Sequence, residues 1–185
     1  MRWLIALLLF CLPLLGSART VNDVQLPDAL QAGENNLVLN GAGIRSKYFL
    51  DVYVAGLYLP TPSDDARQII NADTPQSIRL VITSSHITRT RLLDSIEEGV
   101  RKSAGKDFPR YQSRLQTLLE AMTPEVETGD QYDFTYLPGV GTQIRRNGEI
   151  LTTLATLEFK QILFGIWLGQ DPVQNSLKDE LLGQA

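Results

Sequence analysis

The sequence predicts an α+β domain, with a layer of helices on one face of a large antiparallel sheet. Three observations point there. Strand-like segments come first and last along the chain, while two amphipathic helical segments fill the middle and further helix closes the end. Asn147-Gly148 lies between two short β-rich runs, the strongest short-range hairpin signal. Hairpins imply antiparallel pairing, and helices grouped apart from the strands belong on one side of such a sheet.

Residues 1–18 carry Arg2, a leucine-rich core from Trp3 to Leu15, and then Gly16-Ser17-Ala18, small residues of the kind a signal peptidase cuts after. This reads as a secretory signal, too short for a comfortable membrane span. An uncleaved N-terminal anchor is the alternative. Phe10 is too bulky for lipoprotein cleavage before Cys11, and the apolar core runs on past it. Cleavage after Ala18 leaves residues 19–185 as a single domain without the chain's one cysteine, so the fold needs no disulfide. The formal net charge of −4 falls by one more when Arg2 is removed. An acidic chain argues against nucleic acid and anionic membrane surfaces as partners. The expected location is periplasmic or secreted.

Residues 24–31 read as a lead-in and 33–36 as a turn. Leu37 starts a strand that continues through Gly41-Ala42-Gly43 to Arg45; glycines inside a strand mark a bulge or the close approach of another backbone. Residues 49–59 form the next strand, ended by Pro60-Thr61-Pro62. This run is almost wholly apolar, broken only by Asp51 and the hydroxyls of Tyr53 and Tyr58, and reads as buried on both faces. A polar group facing it needs a partner, either elsewhere in the protein or on a ligand.

Residues 64–71 suggest a short helix with Ala66, Ile69 and Ile70 inward, and 77–84 a strand. The spacing of Leu92, Leu93, Ile96 and Val100 predicts a helix over 89–103, with Thr88 as N-cap and Gly105 at its end. Tyr111, Leu115, Leu118, Leu119 and Met122 make one stripe of a second helix over 108–122. Residues 131–137 alternate as a strand, 138–141 turn, and 142–146 and 149–154 flank the Asn-Gly pair. The helix at 157–168 is apolar nearly all round and therefore buried, while Glu158, Lys160 and Gln161 make it a poor membrane span. No stable span is expected once the leader is gone. Gly169 caps that helix, and a short amphipathic helix near 176–182 closes the chain.

Three segments taken together resemble the chalcone isomerase-like family, in its secreted bacterial branch: LNGAGIR followed by VYVAGLYLP, YLPGVGT with its NG hairpin, and FGIWLGQDPVQNSLKDELLG. They span residues 24–183. The resemblance implies an open-faced β-sandwich, the chalcone isomerase fold, with a ligand cleft between sheet and helices. The family contains isomerases that close a chalcone to a flavanone, fatty-acid binders and non-catalytic relatives, so the fold leaves function open. By this resemblance Arg45 matches the cleft arginine shared by the plant enzymes and the fatty-acid binders. Tyr53 falls where the enzymes have a threonine that helps polarise the substrate ketone and the binders have tyrosine. The enzymes' helix tyrosine, lysine and asparagine fall near Arg91, Asp94 and Glu98, and none of the three matches.

Arg45 and Tyr53 make chemical sense as a clamp for a carboxylate or enolate: a permanently charged fork of donors beside a directional hydroxyl. The competing reading has Arg45 solvated or paired with Asp51, beside a core tyrosine. His86, the single histidine, follows a strand near Ser84, Ser85 and Thr88; alone it makes no metal site, and no cofactor is implied. Arg89, Arg91, Arg101 and Lys102, interleaved with Asp94, Glu97 and Glu98, read as a solvated helix face. Tyr132, Phe134 and Tyr136 read as the sheet face under the helices. Trp167 and Phe164 read as core, or as the floor of the cleft. Lys47 and Asp51 read as solvent-facing hairpin charges.

The expected function is a non-catalytic binding protein holding a small hydrophobic carboxylate, such as a fatty acid, on Arg45 and Tyr53. One alternative is an intramolecular lyase acting on an enone-like ligand, with Arg45 steadying the enolate. Another is an interaction module presenting Pro60-Thr61-Pro62 or the arginine-rich helix.

Overall fold

The computed structural model describes residues 18–184. Apart from Ala18, the expected leader lies outside them. Two short strands, β1 (Ala18–Val21) and β2 (Val24–Pro27), form a separate hairpin. The main sheet has seven antiparallel strands, each paired to its neighbour in sequence: β3 (Ala29–Ala32), β4 (Asn35–Lys47), β5 (Leu50–Leu59), β6 (Gln76–Ile82), β7 (Gln131–Leu137), β8 (Gly141–Arg146) and β9 (Glu149–Leu154). Helix α1 (Ala66–Asn71) is inserted between β5 and β6. Helices α2 (Arg89–Ala104) and α3 (Phe108–Ala121) lie between β6 and β7, and α4 (Leu157–Leu168) and α5 (Asn175–Leu181) follow β9.

Most predicted elements form within a residue or two of their expected bounds, because long apolar periodicities leave little freedom. Thr88 caps α2, its hydroxyl accepting the Arg91 N–H, and Gly105 ends the helix at a φ of 53°. The exception is residues 24–31. They are not a lead-in but β2 and most of β3, strands of four residues that are too short to show a period.

These short strands explain how β5 is buried on both sides. From Val52 to Leu59 every residue of β5 is buried. Tyr53, Ala55, Leu57 and Leu59 face the main core beneath the helices. Val54 packs behind the sheet on Leu26 of β2, and Tyr58 on Ala32 of β3, with the Tyr58 hydroxyl donating to the Pro27 carbonyl at 3.0 Å. Helix α4 lies deepest, Phe134 packing on Trp167 with ring centroids 5.5 Å apart.

The glycines of β4 admit the end of the chain. A Cβ on Gly41 would run into the Glu180 and Leu181 carbonyls, and one on Gly43 into the Glu180 side chain. The register shifts between Leu39 and Gly41, so bulge and close approach occur together. Asn40 Nδ2 donates to the Leu181 carbonyl at 2.9 Å, and the Glu180 carboxylate accepts the Ile44 N–H at 3.0 Å. The NGAGI run thus docks the last helix onto the sheet.

Lys160 of α4 is fully buried. Its ammonium donates to the carbonyls of Ile69, Ile70 and Ala72 at 2.8, 2.9 and 2.9 Å, closing the C-terminus of α1. Burial pushes it down to about 8, with Asp73 pulling the other way. All three N–H bonds are used, which favours the charged form at neutral pH. No helix among the described residues is long and apolar enough to cross a membrane.

Candidate functional site

The cleft is set by the strand register. Arg45 on β4 and Tyr53 on β5 are direct cross-strand partners, so their side chains leave the sheet on one face, the face under the helices. Both line a cavity of about 740 Å³ between the β4–β5 end of the sheet, α2, and the α4–α5 junction. That volume lies within the roughly 300–1,000 Å³ usual for small-molecule sites. The deep wall is apolar: Leu80 from β6, Leu92 and Ile96 from α2, and Ile166 and Trp167 from α4. The mouth is polar, with His86, Arg91, Asp94, Lys102 and Asp171.

Tyr53 is 7 % exposed. Its hydroxyl accepts the Trp167 indole N–H at 3.0 Å, its one hydrogen-bond partner among the described residues. The indole can only donate, so the phenolic hydrogen is left over for an acceptor in the cavity. Burial pushes Tyr53 up to about 12, against the smaller opposing effects of the Trp167 bond and the Arg45 charge. It remains a neutral donor across any physiological pH.

Arg45 is half-buried, and one terminal nitrogen donates to the Ser46 carbonyl and, at 3.1 Å, to the Gln174 side-chain oxygen. Both acceptors are neutral. Among the described residues no carboxylate pairs with it. The Asp51 alternative does not form: Asp51 accepts the Ser46 hydroxyl at 2.8 Å and the Asn22 amide at 3.2 Å. The guanidinium therefore keeps its charge uncompensated, with donors to spare.

Sequence reasoning missed Gln174. Its oxygen accepts both Arg45 and the Ser46 N–H (3.0 Å), while its nitrogen donates to the Ile44 carbonyl (3.2 Å) and the Ser176 hydroxyl (2.7 Å). It locks the β4 end to the start of α5 and aims the arginine. A lone glutamine ahead of a short helix has no periodic signal, although it stands inside the DPVQ part of the resemblance segment. The other expectations divide. Trp167 lines the cleft and Phe164 is core. Arg91, Asp94 and Glu98, the positions matched to the enzymes' helix residues, all line the cavity. Arg101 and Lys102 pair with Glu97 and Glu98 at 2.9 and 3.2 Å along a solvated face. Arg89 turns inward to the Met122 carbonyl at 2.7 Å. His86 is exposed at the mouth. Tyr132, Phe134 and Tyr136 are buried. No group of three or more potential metal ligands occurs among the described residues.

An antiparallel sheet carrying one layer of helices, with an arginine and a tyrosine facing into an apolar cleft between them, is an open-faced sandwich. The sequence matches the profile described as chalcone isomerase-like over residues 18–183, and the chain belongs to that family. A fatty-acid binding protein of Arabidopsis thaliana has a similar crystal structure, with a TM-score of 0.73 over 90 % of this chain and 95 % of that one at 15 % identity. Likeness at that identity establishes the shared fold. A search of curated protein sequences returned no match.

Proposed function

We propose that this protein binds a small amphipathic anion, such as a fatty acid, without transforming it, and does so in the periplasm or outside the cell. The observation that carries the reading is an arginine that no carboxylate among the described residues pairs with, beside a tyrosine hydroxyl with a free hydrogen, both on one wall of a cavity of about 740 Å³. A carboxylate offers only acceptors, so it complements two donors that the protein leaves unanswered. In that setting each bond to the anion is worth about 1.5–3 kcal/mol. The Leu80, Leu92, Ile96 and Ile166 wall takes the apolar part, at about 25 cal/mol per Å2 removed from water. The plant protein of similar fold is a fatty-acid binder, which supports the same class. The location rests on the leader expected from the sequence of residues 1–18.

Native mass spectrometry and lipid extraction of the purified protein test this. An acid adduct is expected, and its loss in Arg45→Ala. If no acid co-purifies or binds, and Arg45→Ala leaves titration calorimetry unchanged, the reading fails. A ring-closing lyase would use the same arginine on an enone. The expected rate in a spectrophotometric chalcone assay equals the buffer control, and a faster one would move the protein to that class.

A further inference from the structure

The tip of the β4–β5 hairpin is unlike the rest of the surface. Lys47 pairs with Leu50, so Tyr48 and Phe49 alone make the turn. Both have positive φ, 51° and 67°. Asparagine and glycine are the usual occupants of such a turn, and bulky aromatic side chains are strained there. Both rings stand in solvent, Tyr48 84 % and Phe49 105 % exposed, with Leu50 beside them at 47 %. Phe49 belongs to none of the hydrophobic clusters of the described residues. Strain and exposed aromatic surface at one turn call for a function outside the fold.

The location narrows that function. Lys47, Tyr48 and Leu50 line the mouth of the Arg45–Tyr53 cavity, while Phe49 projects beyond it. The Lys47 ammonium lies 5.7 Å from the Tyr48 ring centre. An aromatic pair next to a lysine matches the chemistry of a bilayer interface: rings sit at headgroup depth and the cation reaches phosphate. A wedge two residues wide offers a protein partner little surface to complement, whereas partition into lipid needs none.

We propose that the Tyr48-Phe49 tip is a lipid-surface anchor that seats the cleft mouth on a bilayer, where an amphipathic acid can pass between membrane and cavity. The passage rests on the binding function proposed above; the anchoring does not. So small an apolar wedge gives weak, reversible attachment. Because the chain is acidic overall, attachment comes from aromatic insertion and holds on zwitterionic lipid and in high salt.

The test is hydrogen exchange of the purified protein with and without phosphatidylcholine vesicles, followed by mass spectrometry. Vesicles are expected to slow exchange in peptides covering residues 47–50 and leave those covering Asn147-Gly148 unchanged. Phe49→Gly, which suits the turn and does not touch the cavity, is expected to abolish that protection and lower the vesicle-bound fraction roughly tenfold. It leaves acid binding in vesicle-free solution at the wild-type value. Equal exchange with and without vesicles overturns the proposal. So does protection that grows with protein concentration in the absence of lipid, which would make the tip a contact between copies. Vesicle protection with no acid binding in solution upholds the anchor and removes the binding function instead.

Discussion

At Asn147-Gly148 the backbone passes through left-handed conformations with φ of 50° and 88°, using the residues that do so with least strain. At Tyr48-Phe49 it makes a similar passage, 51° and 67°, with two aromatic residues. The arginines beside the turns differ in the same sense. Arg146 is closed in: it donates to Asp130 at 2.6 Å and to the Glu125 carbonyl at 2.5 Å, while Asn147 donates to Asp130 at 2.8 Å. Burial works against the Asp130 charge, but Arg146, the Glu127 N–H and Asn147 together hold its carboxyl below the usual range. Among the described residues Arg45 has only neutral acceptors. One hairpin pairs its arginine with a carboxylate and turns on residues suited to it, although Arg146 Nε and the Thr142 hydroxyl find no partner among the described residues. The other keeps a charge, a hydroxyl and two aromatic rings unsatisfied around the mouth and wall of a single cavity, and that is where the proposed binding is placed.

Exchanging properties between the hairpins tests this contrast. The largest effect is expected for Arg146→Ala, which leaves the nearly buried Asp130 without its cation. It should cost about 3 kcal/mol of stability by urea denaturation, with acid affinity unchanged. Arg45→Ala should do the reverse. Calorimetry should show affinity falling roughly tenfold to a hundredfold, from about 1.5–3 kcal/mol, and stability within about 0.5 kcal/mol of wild type. If both variants lose stability alike, Arg45 is structural and the contrast collapses.

Tyr48→Asn with Phe49→Gly converts one turn into the other. Relief of left-handed strain should stabilise the protein by about 1–2 kcal/mol, raising Tm by roughly 2–4 °C per kcal/mol. Unchanged or lower thermal stability would mean that the aromatic turn is supported by packing. The last effect is confined to alkaline pH and vanishes at neutral pH. The unfolded chain loses tyrosine protons near 10, while Tyr53 and Tyr136 hold theirs to about 12 in the fold and Tyr58 is raised as well. The folded state binds more protons over that window, so stability is retained below pH 10 and declines between 10 and 12. Tyr53→Phe should make the decline shallower by at most about 1.4 kcal/mol per pH unit. An identical slope in wild type and variant would show that Tyr53 titrates normally.

Much of this architecture was legible. The alternation at residues 131–137, the Asn-Gly turn and the all-round apolar helix at 157–168 located three strands and α4, because each pattern repeats a period dictated by backbone geometry. The glycines of β4 announced a close approach without naming α5 as the neighbour. Arg45 and Tyr53 came from resemblance; their shared face follows from a register that includes a bulge before Gly41 and a shift after Arg45. The role of Lys160 left no trace in the sequence, because its partners are backbone carbonyls some ninety positions away. Tyr48-Phe49 lacked the composition of a two-residue turn, and so the strain there was invisible.

Local patterns of apolar residues and turn formers decided the secondary structure, the antiparallel order and the side on which the helices lie. These depend on interactions within a few residues of one another. Only the folded chain decided that Arg45 escapes Asp51, that Gln174 aims it, that Trp167 takes one side of the Tyr53 hydroxyl and leaves its hydrogen free, and that an aromatic turn stands at the cavity mouth. Each of these joins residues far apart in sequence, and long-range hydrogen bonds and burial leave no period along the chain.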